Sequence, residues 1–199
     1  MKLYYTKSSP FSACVRAVIS EHNAENSVQL VDSHPFDNNE DFLALNPLGK
    51  VPCLVDYDLG AIFDSEVICD FLDATISGGI LFENIYADWR LKTLYSLCSG
   101  LMDASLNLQV ESLREIDGLK SDFWFNRHHD AINRSLIEIE NRLPLLPENF
   151  TIIHLTIVCA LQYLDFRHPS IKWRMERQSL VSFYKSFENR ECFEFSKLS

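Results

Sequence analysis

The fold of the first half of the chain is decided by residues 46–72, which read NPLGKVPCLVDYDLGAIFDSEVICDFL. Residues 51–57 and 60–63 predict two strands, because β-branched and apolar side chains fill them and a turn rich in Asp and Gly separates them. Residues 65–75 predict a helix, since their apolar side chains recur at helical spacing. We therefore expect a β-hairpin followed by a helix.

The residues upstream of this stretch continue the alternation of strands and helices. Residues 2–5 and 27–31 predict strands, residues 10–22 a helix, and residues 42–45 a short helical turn. The order of elements is βαβαββα, and Gly78 and Gly79 interrupt it. These features predict an α/β domain over residues 1–78.

The residues downstream show no convincing strand. Apolar side chains recur at helical spacing in four segments, which are residues 87–113, 122–143, 151–166 and 176–187. The third segment is so apolar that we expect a buried central helix. The sequence thus predicts an all-helical domain over residues 84–199.

Composition and charge exclude several classes of protein. The chain has 199 residues, 47 % of them apolar and 23 % charged, which is typical of a globular protein with a packed core. Its net charge is −10, of which residues 1–78 carry −8 and residues 79–199 carry −2. An acidic chain lacks the basic patch of a nucleic-acid-binding protein, so we expect no nucleic-acid partner.

Two further features bear on location. The longest apolar stretch, residues 155–161, is far shorter than the roughly 20 residues that cross a membrane. The N-terminal sequence MKLYYTKSSP lacks the apolar core of a signal peptide. We therefore expect a cytoplasmic protein without a membrane partner.

The six cysteines are scattered along the chain, and no two of them form a CxxC pair. No spacing of Cys and His residues suits a zinc site, so no metal site is predicted. Several of the cysteines lie in apolar runs, which favours reduced thiols packed in the core.

Three short motifs of the first domain could bind a ligand. Ser9 precedes Pro10, a pair typical of a helix start, where a hydroxyl and free amides can cap the helix or hold an anion. Val51 precedes a proline at a strand start, which is an ordinary strand start or a backbone site for an extended ligand. Asp64 and Ser65 open a helix and could receive an ammonium and a carboxylate.

These motifs, in their order and spacing, resemble the N-terminal domain of the cytosolic glutathione transferases. The matching segments are MKLYYTKSSPFSACVRAVI (1–19), FLALNPLGKVPCLVD (42–56) and IFDSEVICDFLD (62–73). In the second half, WRLKTLYSLCSGLMDASL (89–106), FTIIHLTIVCALQYLDFRHPSIKW (150–173) and SFYKSFENRECF (182–193) are similar to the helical domain of bacterial members. The resemblance implies a thioredoxin-like domain that binds glutathione.

The resemblance also implies roles for individual residues. Val51, before a cis-Pro52, would bind the cysteinyl part of glutathione through its backbone, and Lys50 would contact the peptide. Asp64 and Ser65 would take the ammonium and carboxylate of the γ-glutamyl group. The hydroxyl that stabilises the thiolate would be Ser9, with Ser12 as its rival and Ser8 as a weaker third choice.

The helical domain would supply the site for a small hydrophobic electrophile, as in detoxification. The predicted electrophile-site residues are Phe11, Tyr95, Ser99, Met102 and Asp103. A homodimer is implied as well, with glutathione as co-substrate and no metal. The alternatives are a non-catalytic interaction protein, similar to the stringent starvation proteins that bind RNA polymerase, and a glutathione-dependent isomerase, dehalogenase or peroxidase.

The sequence departs from the family pattern at two places. The position that is Cys in the disulfide-exchanging members is Pro10 or a neighbouring Ser, which disfavours cysteine-based chemistry. The buried helix of the second domain begins with Thr151-Ile152-Ile153-His154 instead of Ser/Thr-x-x-Asp. Because His154 carries no carboxylate to bind the Thr151 amide, we expect a less stable helix start, which His154→Asp would strengthen.

Overall fold

Four strands and three helices follow one another along the first part of the computed structural model, which describes all residues from Met1 to Ser199. The strands are β1 (Lys2–Tyr5), β2 (Gln29–Asp32), β3 (Cys53–Asp56) and β4 (Gly60–Ile62). The helices are α1 (Pro10–Glu21), α2 (Glu40–Leu45) and α3 (Ser65–Ser77). The predicted order βαβαββα is confirmed.

The four strands form one mixed sheet in the order β2-β1-β3-β4. β1 pairs with β2 in parallel and with β3 in antiparallel, and β3 pairs with β4 in antiparallel. The carboxyl ends of β1, β2 and β4 therefore meet the amino end of β3 at one edge of the sheet. This common edge carries the candidate site.

Helices α1 and α3 pack against each other and bury part of the apolar stripe of α3, in which Val67 is exposed and Phe71 is half-buried. Ile68 and Leu72 of α3 are fully buried, as are Leu3 and Leu54 of the sheet. In α1, every residue from Ser12 to Ser20 is buried. The core of the first part of the chain thus lies between the sheet and these two helices.

The second part of the chain contains helices only. They are α4 (Trp89–Leu113), α5 (Asp122–Arg142), α6 (Ile152–Arg167), α7 (Trp173–Glu176) and α8 (Gln178–Phe187). A short helix α9 (Glu191–Phe195) follows. α4 packs against both α5 and α6, and α6 is buried along almost its whole length. The predicted central helix is confirmed.

The start of α6 contains a capping hydrogen bond that was not expected of His154. The Thr151 amide donates a hydrogen bond to Nδ1 of His154 at 3.2 Å, so the imidazole nitrogen takes the place of the missing carboxylate. The Thr151 hydroxyl lies 2.8 Å from the same nitrogen. The ring is 3 % exposed and stacks on Phe183 with centroids 5.7 Å apart, while Phe150 and Phe187 pack beside it. Helix α6 therefore begins with a satisfied cap.

The chain divides into two compact units, and the first of them is discontinuous. Unit 1 comprises Met1–Glu83 together with Asn189–Ser199, and unit 2 comprises Asn84–Glu188. The sequence analysis had instead placed residues 189–199 in the helical domain. The physical reason is a set of polar contacts to α1, in which Arg190 pairs with Glu21, and Arg16 donates to main-chain carbonyls of the last residues.

A buried carboxylate bonds the segment that follows α3 to that helix. Asp73 of α3 is fully buried and accepts hydrogen bonds from the amides of Leu81 and Phe82, each at 3.0 Å. His22 Nε2 lies 2.9 Å from its Oδ1, and the Ser77 hydroxyl donates to the same oxygen at 2.8 Å. Asp73 thereby fixes residues 81 and 82 to the C-terminal part of α3.

All six cysteines are buried, and none of them forms a disulfide. Burial raises the pKa of Cys53 to about 11 and raises that of Cys69 well above its usual value. Thiols held in this way are poor nucleophiles, because the thiolate is the reactive form. None of the helices combines the length and the apolar character that a membrane span requires.

Candidate glutathione site

The sheet edge gathers three segments that lie far apart in the sequence. Tyr4 pairs with Cys53, and Leu54 pairs with Ile62, so the register continued beyond the strands places Tyr5, Pro52 and Asp64 side by side. Helices α1 and α3 both start at this edge. Their positive dipole ends therefore both lie at this end of the sheet, where each favours negative charge close to it.

Ser9 caps α1 at this edge. Its Oγ accepts a hydrogen bond from the Ser12 amide at 3.2 Å, which leaves the hydroxyl proton available to a ligand. The side chain is half-buried. A hydroxyl in this position can donate to an anion that also faces the helix dipole.

The rival hydroxyl, on Ser12, lies one turn further into α1. Ser12 is fully buried, and its Oγ has no hydrogen-bond partner. Ser8, the third choice, is half-buried, like Ser9, and lies outside the helix. Of the two leading candidates, Ser9 is the less buried.

Val51 and Pro52 precede β3, and the peptide bond between them is cis. Val51 is half-buried, and no hydrogen bond of the fold uses its amide or its carbonyl. These two backbone groups can pair with an extended ligand in the manner of an added strand. Lys50, immediately before them, has an exposed side chain.

Asp64 and Ser65 form the start of α3. The Asp64 carboxylate accepts from the Glu66 amide at 3.1 Å and is exposed, so its remaining lone pairs face solvent. Ser65 is 7 % exposed and occupies the first turn. The peptide bond between Phe63 and Asp64 is cis. A carboxylate beside free helix amides can receive a ligand that carries an ammonium and a carboxylate together.

Two family models match this chain. The model described as "Glutathione S-transferase, N-terminal domain" matches residues 8–75, and the one described as "Glutathione S-transferase, C-terminal domain" matches residues 122–186. Together the two matches cover more than half of the chain.

The chain belongs to the glutathione S-transferase family. Among curated proteins, it is 28 % identical over 197 residues to the uncharacterized GST-like protein YibF of Escherichia coli K12, covering 97 % of this chain and 96 % of that protein. It is 39 % identical over 206 residues to a stringent starvation protein A homolog of Coxiella burnetii, covering 98 % of this chain and 90 % of that protein.

A solved structure shows the same fold. A glutathione transferase family member from Pseudomonas fluorescens Pf-5, with bound glutathione, matches with a TM-score of 0.89 and 30 % identity, over 100 % of this chain and 98 % of that one. With bound S-(propanoic acid)-glutathione it matches with a TM-score of 0.87 at 30 % identity, over the whole of both chains. The match shows a thioredoxin-like N-terminal fold for this member of the family.

The predicted electrophile-site residues lie on two helices, α1 and α4. Phe11 is half-buried in the first turn of α1. The other four lie on α4, where Tyr95 and Met102 are buried, Ser99 is half-buried and Asp103 is exposed. Tyr5, which the sequence analysis assigned to packing, is 8 % exposed.

The histidines form no shared site. His128 stacks on Trp124 with ring centroids 6.0 Å apart, whereas Nδ1 of His129 lies 3.3 Å from the Asn133 amide nitrogen. No group of three or more His, Cys, Asp or Glu side chains could hold a metal ion.

Asn46 supports the candidate site from the loop before Val51, a contribution that the sequence analysis missed. It is 1 % exposed, its Nδ2 donates to the Lys50 carbonyl at 2.7 Å, and its Oδ1 accepts from the Leu48 amide at 3.1 Å. These bonds fix the loop that leads to Val51. The available signal was the Asn-Pro pair, since an Asn side chain often bonds the backbone two residues on.

Proposed function

We propose that this chain is a glutathione transferase that joins the sulfur of glutathione to a small hydrophobic electrophile. The observation that carries the proposal is the meeting, at one sheet edge, of the Ser9 hydroxyl, the free backbone groups of Val51 and the acidic start of α3. Glutathione offers the matching groups, which are a thiol, a peptide backbone and an α-amino acid headgroup.

Each part of glutathione has a partner in this arrangement. Val51 pairs its amide and carbonyl with the cysteinyl part, after the cis bond to Pro52. Asp64 receives the γ-glutamyl ammonium, while Ser65 and the α3 amides receive the neighbouring carboxylate. Lys50 contacts the peptide. The bound glutathione in the Pseudomonas relative supports this assignment, since the two chains share the fold along their whole length.

Ser9 lowers the pKa of the bound thiol by donating a hydrogen bond from its hydroxyl to the thiolate. A hydrogen bond to a charged group is worth about 1.5–3 kcal/mol, and one pKa unit corresponds to about 1.4 kcal/mol. The hydroxyl therefore lowers the thiol pKa by about 1–2 units. The thiol proton leaves to solvent, and the sulfur lone pair forms the S–C bond while the leaving group departs with its electron pair.

The proposal is tested by titrating the bound thiol with ultraviolet difference spectroscopy at millimolar glutathione. In the wild type we expect a thiolate signal with a pKa near neutrality. Ser9→Ala should raise that pKa by about 1–2 units, the value of the lost hydrogen bond. Ser12→Ala is the matched control and should leave the pKa unchanged, because its hydroxyl is buried.

The three other outcomes of this titration are informative. A pKa that moves in Ser12→Ala and stays in Ser9→Ala would transfer the role to Ser12. A near-neutral pKa that neither substitution moves would assign thiolate stabilisation to backbone amides. A wild type without a thiolate signal would refute the transferase proposal. An isomerase, dehalogenase or peroxidase would keep the thiolate, so products from candidate electrophiles must separate these reactions.

The electrophile site and the assembly are parts of the same proposal. We assign the electrophile to Phe11 and the α4 residues Tyr95, Ser99, Met102 and Asp103, with a homodimer as the working form in the cytoplasm. The six buried cysteines, which form no disulfide, support a reducing compartment. Substitution of Asp103, which is exposed, should change KM for the electrophile and leave KM for glutathione unaltered.

A second candidate function is a non-catalytic interaction protein. The observation that favours it is the 39 % identity to a stringent starvation protein A homolog over 98 % of this chain. The thiolate titration separates the two functions, because an interaction protein needs no near-neutral thiol. Capture of partners on the purified chain would then become the informative experiment.

A further inference from the structure

The residues Asn189–Ser199, called the strap below, lie against α1 in unit 1 although α8 precedes them in the chain. Cys192 and Phe193 are each 2 % exposed, and Ser196 is fully buried. So much burial in a short segment shows that the strap is an integral part of the α/β unit.

Polar contacts at two places on α1, its middle and its C-terminal end, hold the strap against the helix. At the end of the helix, Arg190 pairs with Glu21 through its Nη2 and through its Nε, the latter at 3.3 Å. Five residues earlier along α1, Arg16 donates from Nη2 to the Phe195 carbonyl and from Nη1 to the Lys197 carbonyl at 3.5 Å. The Arg16 anchor is the one nearer the candidate site.

Arg16 also reaches the strand that precedes α1. Its guanidinium lies over the Tyr5 ring, 5.2 Å from the centroid, and 5.6 Å from the centroid of Phe195. Tyr5 ends β1, and residues 6–9 connect it to α1. One buried side chain, 7 % exposed, therefore links both flanks of the loop that carries Ser9.

We propose that Arg16, held by the strap, is a positioning residue that fixes the loop carrying Ser9 and so sets the reactivity of the bound thiol. The inference rests on the proposed function. Arg16 follows Ser9 by seven residues, about 10 Å of helix, and so acts through the backbone. Displacement of the Ser9 hydroxyl weakens its hydrogen bond to the thiolate. An anchor that holds the loop in place therefore preserves this bond.

The test compares Arg16→Met with Arg190→Met, which removes the other anchor of the same strap. Glu21, the partner of Arg190, lies twelve residues beyond Ser9, or about 18 Å along α1. Arg16→Met should raise the pKa of the bound thiol by about one unit and weaken glutathione binding about tenfold, the value of one hydrogen bond to a charged group. Arg190→Met should lower thermal stability but leave the thiol pKa unchanged.

Each outcome decides the inference. Equal pKa values in both variants and the wild type would overturn it and leave the proposed function intact. Equal rises in both variants would overturn it too, because they would show a general loss of packing. A wild type without a thiolate signal would overturn the proposed function and this inference together.

Arg16→Lys separates the effect of the guanidinium's hydrogen bonds from the effect of its positive charge. It also replaces Arg16→Met in the test if that variant does not fold. Lysine keeps the positive charge but lacks the planar fork that reaches two carbonyls at once. We expect a thiol pKa between those of the wild type and Arg16→Met, with faster exchange of the Ser12 amide hydrogen. A thiol pKa and an exchange rate equal to those of the wild type would refute positioning by the guanidinium.

Discussion

Replacing Asn46 by alanine tests whether a buried amide prepares the loop before Val51 for glutathione. The substitution removes the 2.7 Å bond to the Lys50 carbonyl and the 3.1 Å bond from the Leu48 amide, at a position that is 1 % exposed. Each bond contributes a net of about 1 kcal/mol, so the free energy of unfolding should fall by about 2 kcal/mol.

The same loss should appear in glutathione affinity, because the ligand must then order the loop as it binds. If the whole cost falls on binding, about 2 kcal/mol corresponds to about a 30-fold rise in the dissociation constant. We expect a rise of about 10–30-fold by isothermal titration calorimetry at pH 7.5. Urea unfolding of the free protein measures the stability change independently.

Asn39→Ala is the matched control for Asn46→Ala. Asn39 caps α2, where its side chain accepts from the Phe42 amide at 3.1 Å. Its loss should cost about 1 kcal/mol of stability, while the dissociation constant should stay within about twofold. An affinity that is unchanged in Asn46→Ala, or equally reduced in both variants, would refute the role assigned to Asn46.

Three further predictions concern stability. Asp73→Ala should lower the free energy of unfolding by about 3–5 kcal/mol in urea titrations, because it leaves buried donors unpaired; the exposed Asp58→Ala should cost less than about 0.5 kcal/mol. Burial lowers the pKa of the His168 side chain. Its contribution to stability is therefore complete above the unfolded pKa of about 6.5, and it is lost as the pH falls below that value and through the folded pKa. Thermal melts between pH 8 and 5 should show that loss, and His168→Gln should flatten it. His154→Asp should lower the melting temperature measured by circular dichroism, since it buries a charge among aromatic rings; an increase would contradict the cap described for α6.

The order of the elements could be predicted because it depends on local pattern. The period-two and helical spacings, the Gly pair at residues 78 and 79 and the apolar run of α6 are all visible in single segments. The sheet register then follows from pairing, and it is this register that brings Ser9, Val51 and Asp64 to one edge. Local pattern was therefore sufficient for the order of the elements, whereas the candidate site stays a prediction.

The difference in burial between Ser9 and Ser12 required the structure, since the two hydroxyls lie three residues apart at the same helix start. The full burial of Ser12 and the partial burial of Ser9 depend on how α1 packs, and the spacing of residues in the sequence does not predict that packing. His154 shows the same limit, because the acceptor role of Nδ1 depends on the orientation of the ring. Contacts over long separations, such as that between Arg16 and Phe195, leave no signal in either local sequence.

The discontinuity of unit 1 has a consequence for how the protein is synthesised. Residues 189–199 leave the ribosome only after the whole of unit 2, so at about 5–20 residues per second the α/β unit remains without its last segment for roughly 5–20 seconds. During that interval, the face of α1 that Cys192 and Phe193 cover is open to solvent and to chaperones. A fragment that ends at Glu83 would keep that apolar face exposed permanently and should aggregate when expressed alone.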